Sequence, residues 1–177
     1  VAIGTDGQKV STAANNTSLG YLALAANTTG TENVAVGALA GDALTTGSRN
    51  TAVGYIALSA ATTASDNSAF GREALRDNTS GNSNTALGKE AMKLNTTGVE
   101  NTAVGHHALN ANTSGGNNTA IGRLALLLNT TGGSNVAVGS AALDANTSGA
   151  SNTGLGVAAL TSNTTGAYNT AVGASSG

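Results

Sequence analysis

Asn101-Thr102-Ala103-Val104-Gly105 is one copy of a five-residue phrase that recurs along the whole chain. The glycines that end it are Gly20, Gly37, Gly54, Gly71, Gly88, Gly105, Gly122, Gly139, Gly156 and Gly173, and the interval between them never changes. A short period without slippage means a solenoid or fibre in which each repeat adds one similar layer. It also lowers the expectation of an enzyme, because a catalytic site needs unlike residues converging. Here the same residues return at every step.

The phrase reads as a strand. Its leading residue is asparagine in all ten copies, from Asn16 to Asn169. The residue before each glycine is large and apolar: Leu19, Val36, Val53, Phe70, Leu87, Val104, Ile121, Val138, Leu155 and Val172. The one before that is usually alanine, as at Ala35, Ala52 and Ala103. Such alternation puts a large side chain on one face of a short strand and a small one on the other. The large residues are expected to fill the core, with alanine allowing close packing. The aligned asparagines are expected to form amide ladders along the axis.

Three positions after the glycine comes an alanine column, Ala23 to Ala159, followed by Leu24, Leu58, Leu75, Met92, Leu109, Leu126, Leu143 or Leu160, with Gly41 as the exception. A turn signal follows, clearest at Asn27-Thr28-Thr29-Gly30 and Asn95-Thr96-Thr97-Gly98. Asn and Gly tolerate positive φ, and Asn and Thr side chains satisfy nearby backbone groups. The Ala-Leu segment has helix-forming residues, but helices about 10 Å across cannot repeat at every coil of a straight stack spaced about 4.8 Å apart. An extended segment or tight turn is favoured there, with a single helical turn open only if the coils splay or chains intertwine.

The expected fold is therefore all-β: a parallel β-solenoid of about ten 17-residue coils in one array. Residues 1–19 form an atypical first coil, 20–173 the regular repeats and 174–177 a tail. The first interval, Gly4 to Gly20, is one position shorter than the others, and Asp6-Gly7-Gln8-Lys9 replaces the Ala-Leu segment. Two other coils depart from the pattern: Leu44 replaces the turn asparagine in one, while Ala61 and Ala64 replace the turn asparagine and glycine in the next. The chain opens in mid-phrase at Val1, as a piece of a longer protein would.

Composition narrows the function. Charged residues are 9% of the chain, aromatics 2%, and the net charge is −2. That balance disfavours electrostatic nucleic-acid binding. No apolar run approaches the roughly 20 residues of a membrane span, and the absence of cysteine excludes a disulfide framework. Val, Ile and Thr at fixed places argue against disorder.

Val1-Ala2-Ile3-Gly4, Val34-Ala35-Val36-Gly37 and Val136-Ala137-Val138-Gly139 resemble the strand of the head repeat of trimeric autotransporter adhesins of the YadA-like type. The Asn-Thr-Ala-Val-Gly arrays are also similar to those of phage and bacterial tail-fibre-like proteins. The resemblance covers essentially the whole chain. It implies a left-handed β-roll, assembly into a homotrimer and a place outside the cell, on a bacterial surface or a virion fibre. This repeat is longer than the usual adhesin head repeat, with the Asn-Thr-Thr-Gly turn as the natural insertion.

Candidate sites are few. His106 and His107 are the only histidines. They would form a metal site only if copies met at an axis, and exposed edge residues are the plainer reading. Arg72-Glu73 and Lys89-Glu90 occupy matching positions in adjacent coils and read as a surface charge ladder rather than a catalytic carboxylate pair. In the same columns Tyr21-Leu22 and Tyr55-Ile56 are apolar, so one face changes character along the axis. The glycines lack the Lys-Ser/Thr ending of a phosphate loop. Glycosylation sequons such as Asn27-Thr28-Thr29 arise as a by-product of the repeat. No catalytic, cofactor or metal residue is assigned. The expected function is a non-catalytic structural or adhesive fibre segment that presents a receptor-binding surface to a host protein or glycan. An ice-binding solenoid, using the ordered threonine columns, is the alternative. A glycan-degrading solenoid enzyme is disfavoured, because no isolated charged cluster interrupts the repeat.

Overall fold

In the computed structural model, which describes residues 2–4 and 13–177, the chain is a β-solenoid. The atypical Asp6-Gly7-Gln8-Lys9 segment lies outside the described residues. Eleven strands run in sequence order through a single parallel sheet, from β1 (Ala2–Ile3) and β2 (Thr17–Leu19) to β11 (Thr170–Val172). From β2 onward every strand pairs with the next in the register of the repeat, as in Thr102↔Thr119 and Ala103↔Ala120. Between β1 and β2 the register is one position shorter, Ala2↔Ser18, which absorbs the short first interval. Nine turns separate Gly20 from Gly173, a rise of about 43 Å at about 4.8 Å per coil.

Only a short strand, such as Thr102–Val104, is extended in each coil; the rest is turn, and it too is laddered to its neighbours. Leu109 N–H donates to Ala125 O at 2.8 Å, and Ala111 N–H to Leu127 O at 3.0 Å. The Ala-Leu segment is a tight turn, and the described residues contain no helix. It is wound by left-handed residues that, Gly41 apart, are not glycine. The second and fourth positions after the glycine have positive φ, for instance His107 at 56° and Leu109 at 52°. So does the residue before each leading asparagine, such as Glu100 at 58°. Left-handed backbone is costly for residues with a Cβ. It persists here because each turn is hydrogen-bonded to the coils on both sides.

The strand alternation is present, but its faces are reversed from expectation. The alanine points inward: Ala35, Ala69, Ala86, Ala103, Ala120 and Ala137 are fully buried. The large residue points out: Leu19, Phe70, Leu87 and Ile121 are 46, 39, 49 and 40% exposed. The core is filled instead from the turn segment, by Leu24, Leu58, Leu75, Met92, Leu109, Leu126 and Leu143, all fully buried, with the alanine columns packed around them. The reason is space. So short a coil encloses a narrow lumen, and leucines and two columns of asparagine already project into it. A methyl group is what remains for the strand.

Both asparagine columns are inside, and both form ladders. The leading asparagine makes bonds in three directions. Asn101 Oδ1 accepts the Asn118 backbone N–H at 2.9 Å and its amide at 3.1 Å, while Asn101 Nδ2 donates to Gly115 O at 2.9 Å. The turn asparagines form a second ladder, Asn78 to Asn163, through bonds such as Asn112 Nδ2 to Asn95 Oδ1 at 2.7 Å. Buried polar groups are tolerated when their partners are complete, and a ladder supplies those partners from the coils on either side.

Candidate surface site

The outward side of the sheet is a regular surface that repeats at every coil. Two columns of side chains line it. One is the large apolar column from Leu19 to Val172; the other is the residue after each leading asparagine, mostly threonine, with Val34, Ser68 and Val136. The middle residue of each strand is buried and its two neighbours are half-buried or exposed, as in β2, β5 (Ser68–Phe70), β7 (Thr102–Val104) and β11. The result is an unbroken apolar stripe the length of the rod. Contiguous apolar surface of this kind is a candidate interaction site.

The two edges of the stripe differ. On the side where the chain leaves the strand lie Tyr21, Ala38, Tyr55, Arg72, Lys89, His106 and Arg123. On the side where it enters lie Glu32, Arg49, Asp66, Ser83, Glu100 and Asn117.

The paired sequence motifs of the exit edge come together as one ionic network over three coils. Glu73 is buried beneath its partners: Arg72 contacts it, Lys93 Nζ lies 2.7 Å away and Arg76 3.2 Å away. The hydrogen bond from Lys93 holds the Glu73 carboxyl below its ordinary range against the cost of burial. Burial pushes Glu90 up. Hydrogen bonds from Lys89 and Lys93, with the charge of Lys93, more than offset this and hold it low. Lys93 thus bridges the two carboxylates, so the pair is a mixed-charge ladder in which both acids are ionised partners of bases. A proton-transfer pair would need their affinities pushed apart.

His106 and His107 lie with ring centroids 4.0 Å apart on the same edge. His107 Nε2 is 3.6 Å from Glu90. Burial, then the neighbouring His106, lowers the affinity of His107 for a proton. Among the described residues no group of three or more His, Asp or Glu side chains is placed to hold a metal ion.

The threonine column of the turn is also committed. Thr96 Oγ1 donates to Thr113 O at 2.9 Å, and the same bond repeats at Thr113, Thr130 and Thr147. Those hydroxyls can meet water only as acceptors. The sequon asparagines of the turn, Asn78, Asn95, Asn112, Asn129 and Asn146, are fully buried with their amides in the ladder, which closes them to glycosylation in the folded chain.

No family model, curated protein or solved structure matches the chain. The outward stripe is the feature that sequence reasoning misses. Its signal is the constant size of the tenfold Val/Leu/Ile/Phe column, which size alone assigns to the interior.

Proposed function

We propose that this chain is a non-catalytic segment of an extracellular fibre, of the kind found on bacterial surfaces or virion tails. It assembles with copies of itself, three by resemblance to adhesin heads, and projects or presents a surface that meets a host protein or glycan. The observation that carries this reading is the outward apolar stripe. A stripe that runs without interruption along a rod has the right shape to be covered by a second rod. Burying it would remove from water roughly one large side chain per coil, each contributing about 1.5–3 kcal/mol if fully buried. Ladders and core already stabilise the coils from within, so the stripe is free for association.

Light scattering on the chain and on a Val53→Asp/Val104→Asp variant tests this. Both side chains face outward, so the variant should keep the parent's circular dichroism. The parent is expected to self-associate and the variant to be monomeric. A parent that stays monomeric at every concentration refutes the reading. Retention of the parent on host cells or glycans without turnover would support the adhesive role. Thermal hysteresis without self-association would favour the water-ordering alternative.

A further inference from the structure

The glycine that ends each turn signal is held by stacking. At every turn glycine of this column from Gly30 to Gly149, an added Cβ would lie within 3.0 Å of the carbonyl oxygen one coil on. One coil fills the place with a real side chain, Ala64, against Gly81 of the next. Its methyl group is a wedge, and the bonds across this corner are thinned. At the other junctions the turn carbonyl takes at least two backbone N–H groups and a threonine hydroxyl. Thr45 O, for example, accepts from the N–H groups of Thr28, Thr29 and Gly30 and from Thr28 Oγ1. Thr79 O accepts only the Thr62 N–H, at 3.2 Å. Among the described residues, Thr62 alone in the column from Thr28 to Thr147 does not pass its hydroxyl to the next coil. Both asparagine ladders break at the same junction. Ala61 offers no amide to Asn78. The Asn84 amide donates to Gly98 O but not to Asn67, although Asn67 is joined to Asn50 and Asn101 to Asn84, each at 3.2 Å.

We infer that this junction is a hinge built into the rod. The turn corner between Ala61–Ala64 and Asn78–Gly81 opens before any other, and the strand side serves as the pivot. That side is intact: Ser68 N–H donates to Asn84 O and Ser65 N–H to Asn82 Oδ1, both at 2.8 Å. Ion pairs tie the coils on either side of the seam but do not cross it. Arg49 holds Asp66 at the junction before it, and Lys93 holds Glu73 at the junction after it. Among the described residues none joins 54–70 to 71–87. A stack of like layers shares its stability among nearly equal interfaces, so one wedged interface localises the opening. The rod then behaves as two stiff blocks that bend at one place. This is a property of the single chain and holds whether or not copies associate.

Amide hydrogen exchange on the intact chain tests this. The N–H groups of Leu58 and Ala60 cross the seam in bonds of 3.0 and 2.9 Å, to Ala74 O and Arg76 O. Those of Leu75 and Asp77 make the same bonds across the next junction, both at 3.0 Å. Bonds so alike protect equally in a rod that opens uniformly. With a hinge, Leu58 and Ala60 are expected to exchange about tenfold faster than Leu75 and Asp77. Ala61→Asn/Ala64→Gly removes the wedge and restores the ladder, and should bring the four rates together. Asn112→Ala/Gly115→Ala moves the same pair of changes to an ordinary coil. It should accelerate Leu109 and Ala111, whose N–H groups cross that junction, and leave Leu75 and Asp77 unchanged. Equal protection on the two sides in the parent overturns the hinge by itself, whatever the variants do. A restored coil that still exchanges fast, or a transplanted pair that leaves Leu109 and Ala111 protected, overturns the assignment of the opening to the Ala64 wedge.

Discussion

Among single residues, the phrase glycine is the strictest position. Gly88 has φ of 140°, and a Cβ placed there would lie 2.5 Å from the carbonyl oxygen of Gly105 in the next coil. Both the backbone and the neighbouring coil demand glycine. Gly173 has φ of 123°, but its nearest neighbour atom would be 4.0 Å away. Gly88→Ala should therefore cost about 3 kcal/mol or more, and Gly173→Ala clearly less. Denaturant midpoints of the two variants check this, and equal losses would show that the contact between coils is unimportant. The need for glycine is legible in its tenfold recurrence. The reason, a carbonyl pressed against the missing side chain, belongs to the stacking.

Within one coil, departures from the repeat come in compensating sets. Gly41 stands where other coils have leucine, and Leu44 stands where they have the turn asparagine. Leu44 is fully buried and fills the vacated place: a Cβ on Gly41 would sit 3.0 Å from Leu44 Cδ1 and 3.2 Å from Leu24 Cδ2. Gly41→Leu alone is expected to overpack and Leu44→Asn alone to open a cavity, each costing about 1–4 kcal/mol. The double variant restores the consensus and should lose much less than the sum. A thermal-melt double-mutant cycle reads that coupling. Ala61 and Ala64 work the same way. At Gly81 a Cβ would meet the Gly98 carbonyl of the next coil at 2.2 Å and Asn78 Oδ1 at 2.5 Å; in the coil with Ala64 the second contact is relieved, because that asparagine is itself Ala61.

The ionic coils give a pH signature. Glu73 is held below its ordinary proton affinity in the folded chain. It binds protons more readily when unfolded, so its contribution is present above the unfolded carboxylate value and is lost as pH falls through the folded one. His107, also lowered, acts in the same direction from about pH 6.5 downward. Asp42, raised by burial, pulls the other way. Comparing the parent with Glu73→Gln isolates one group. The parent should melt higher at pH 7, and the gap should close below about pH 4. A gap that is constant from pH 7 to pH 3 would mean that the Lys93 contact stabilises nothing through charge.

Over the whole molecule, stability is additive across similar layers. Deleting residues 102–118 removes one whole repeat and joins Asn101 to Thr119, which continues the phrase in register. The shortened chain should fold, with a melting temperature a few degrees lower. Deleting residues 102–110 breaks the register, misplaces both asparagine ladders and should leave the chain unable to form a continuous rod. Circular dichroism and hydrodynamic radius distinguish the two.

The period, the parallel stack with one strand per coil, the offset of the first interval and the asparagine ladder of the phrase are all legible in the chain before it folds. They follow from spacing, which a linear pattern carries in full. Which side of the strand is inside is not legible in this way. An alternating strand has two faces, and size alone favours the branched residues as core. Packing settles the matter: leucines and amides from the turn occupy a narrow lumen first, alanine is all that fits opposite them, and the large side chains are turned outward. The same reversal creates the apolar stripe, and with it the surface on which the proposed assembly rests.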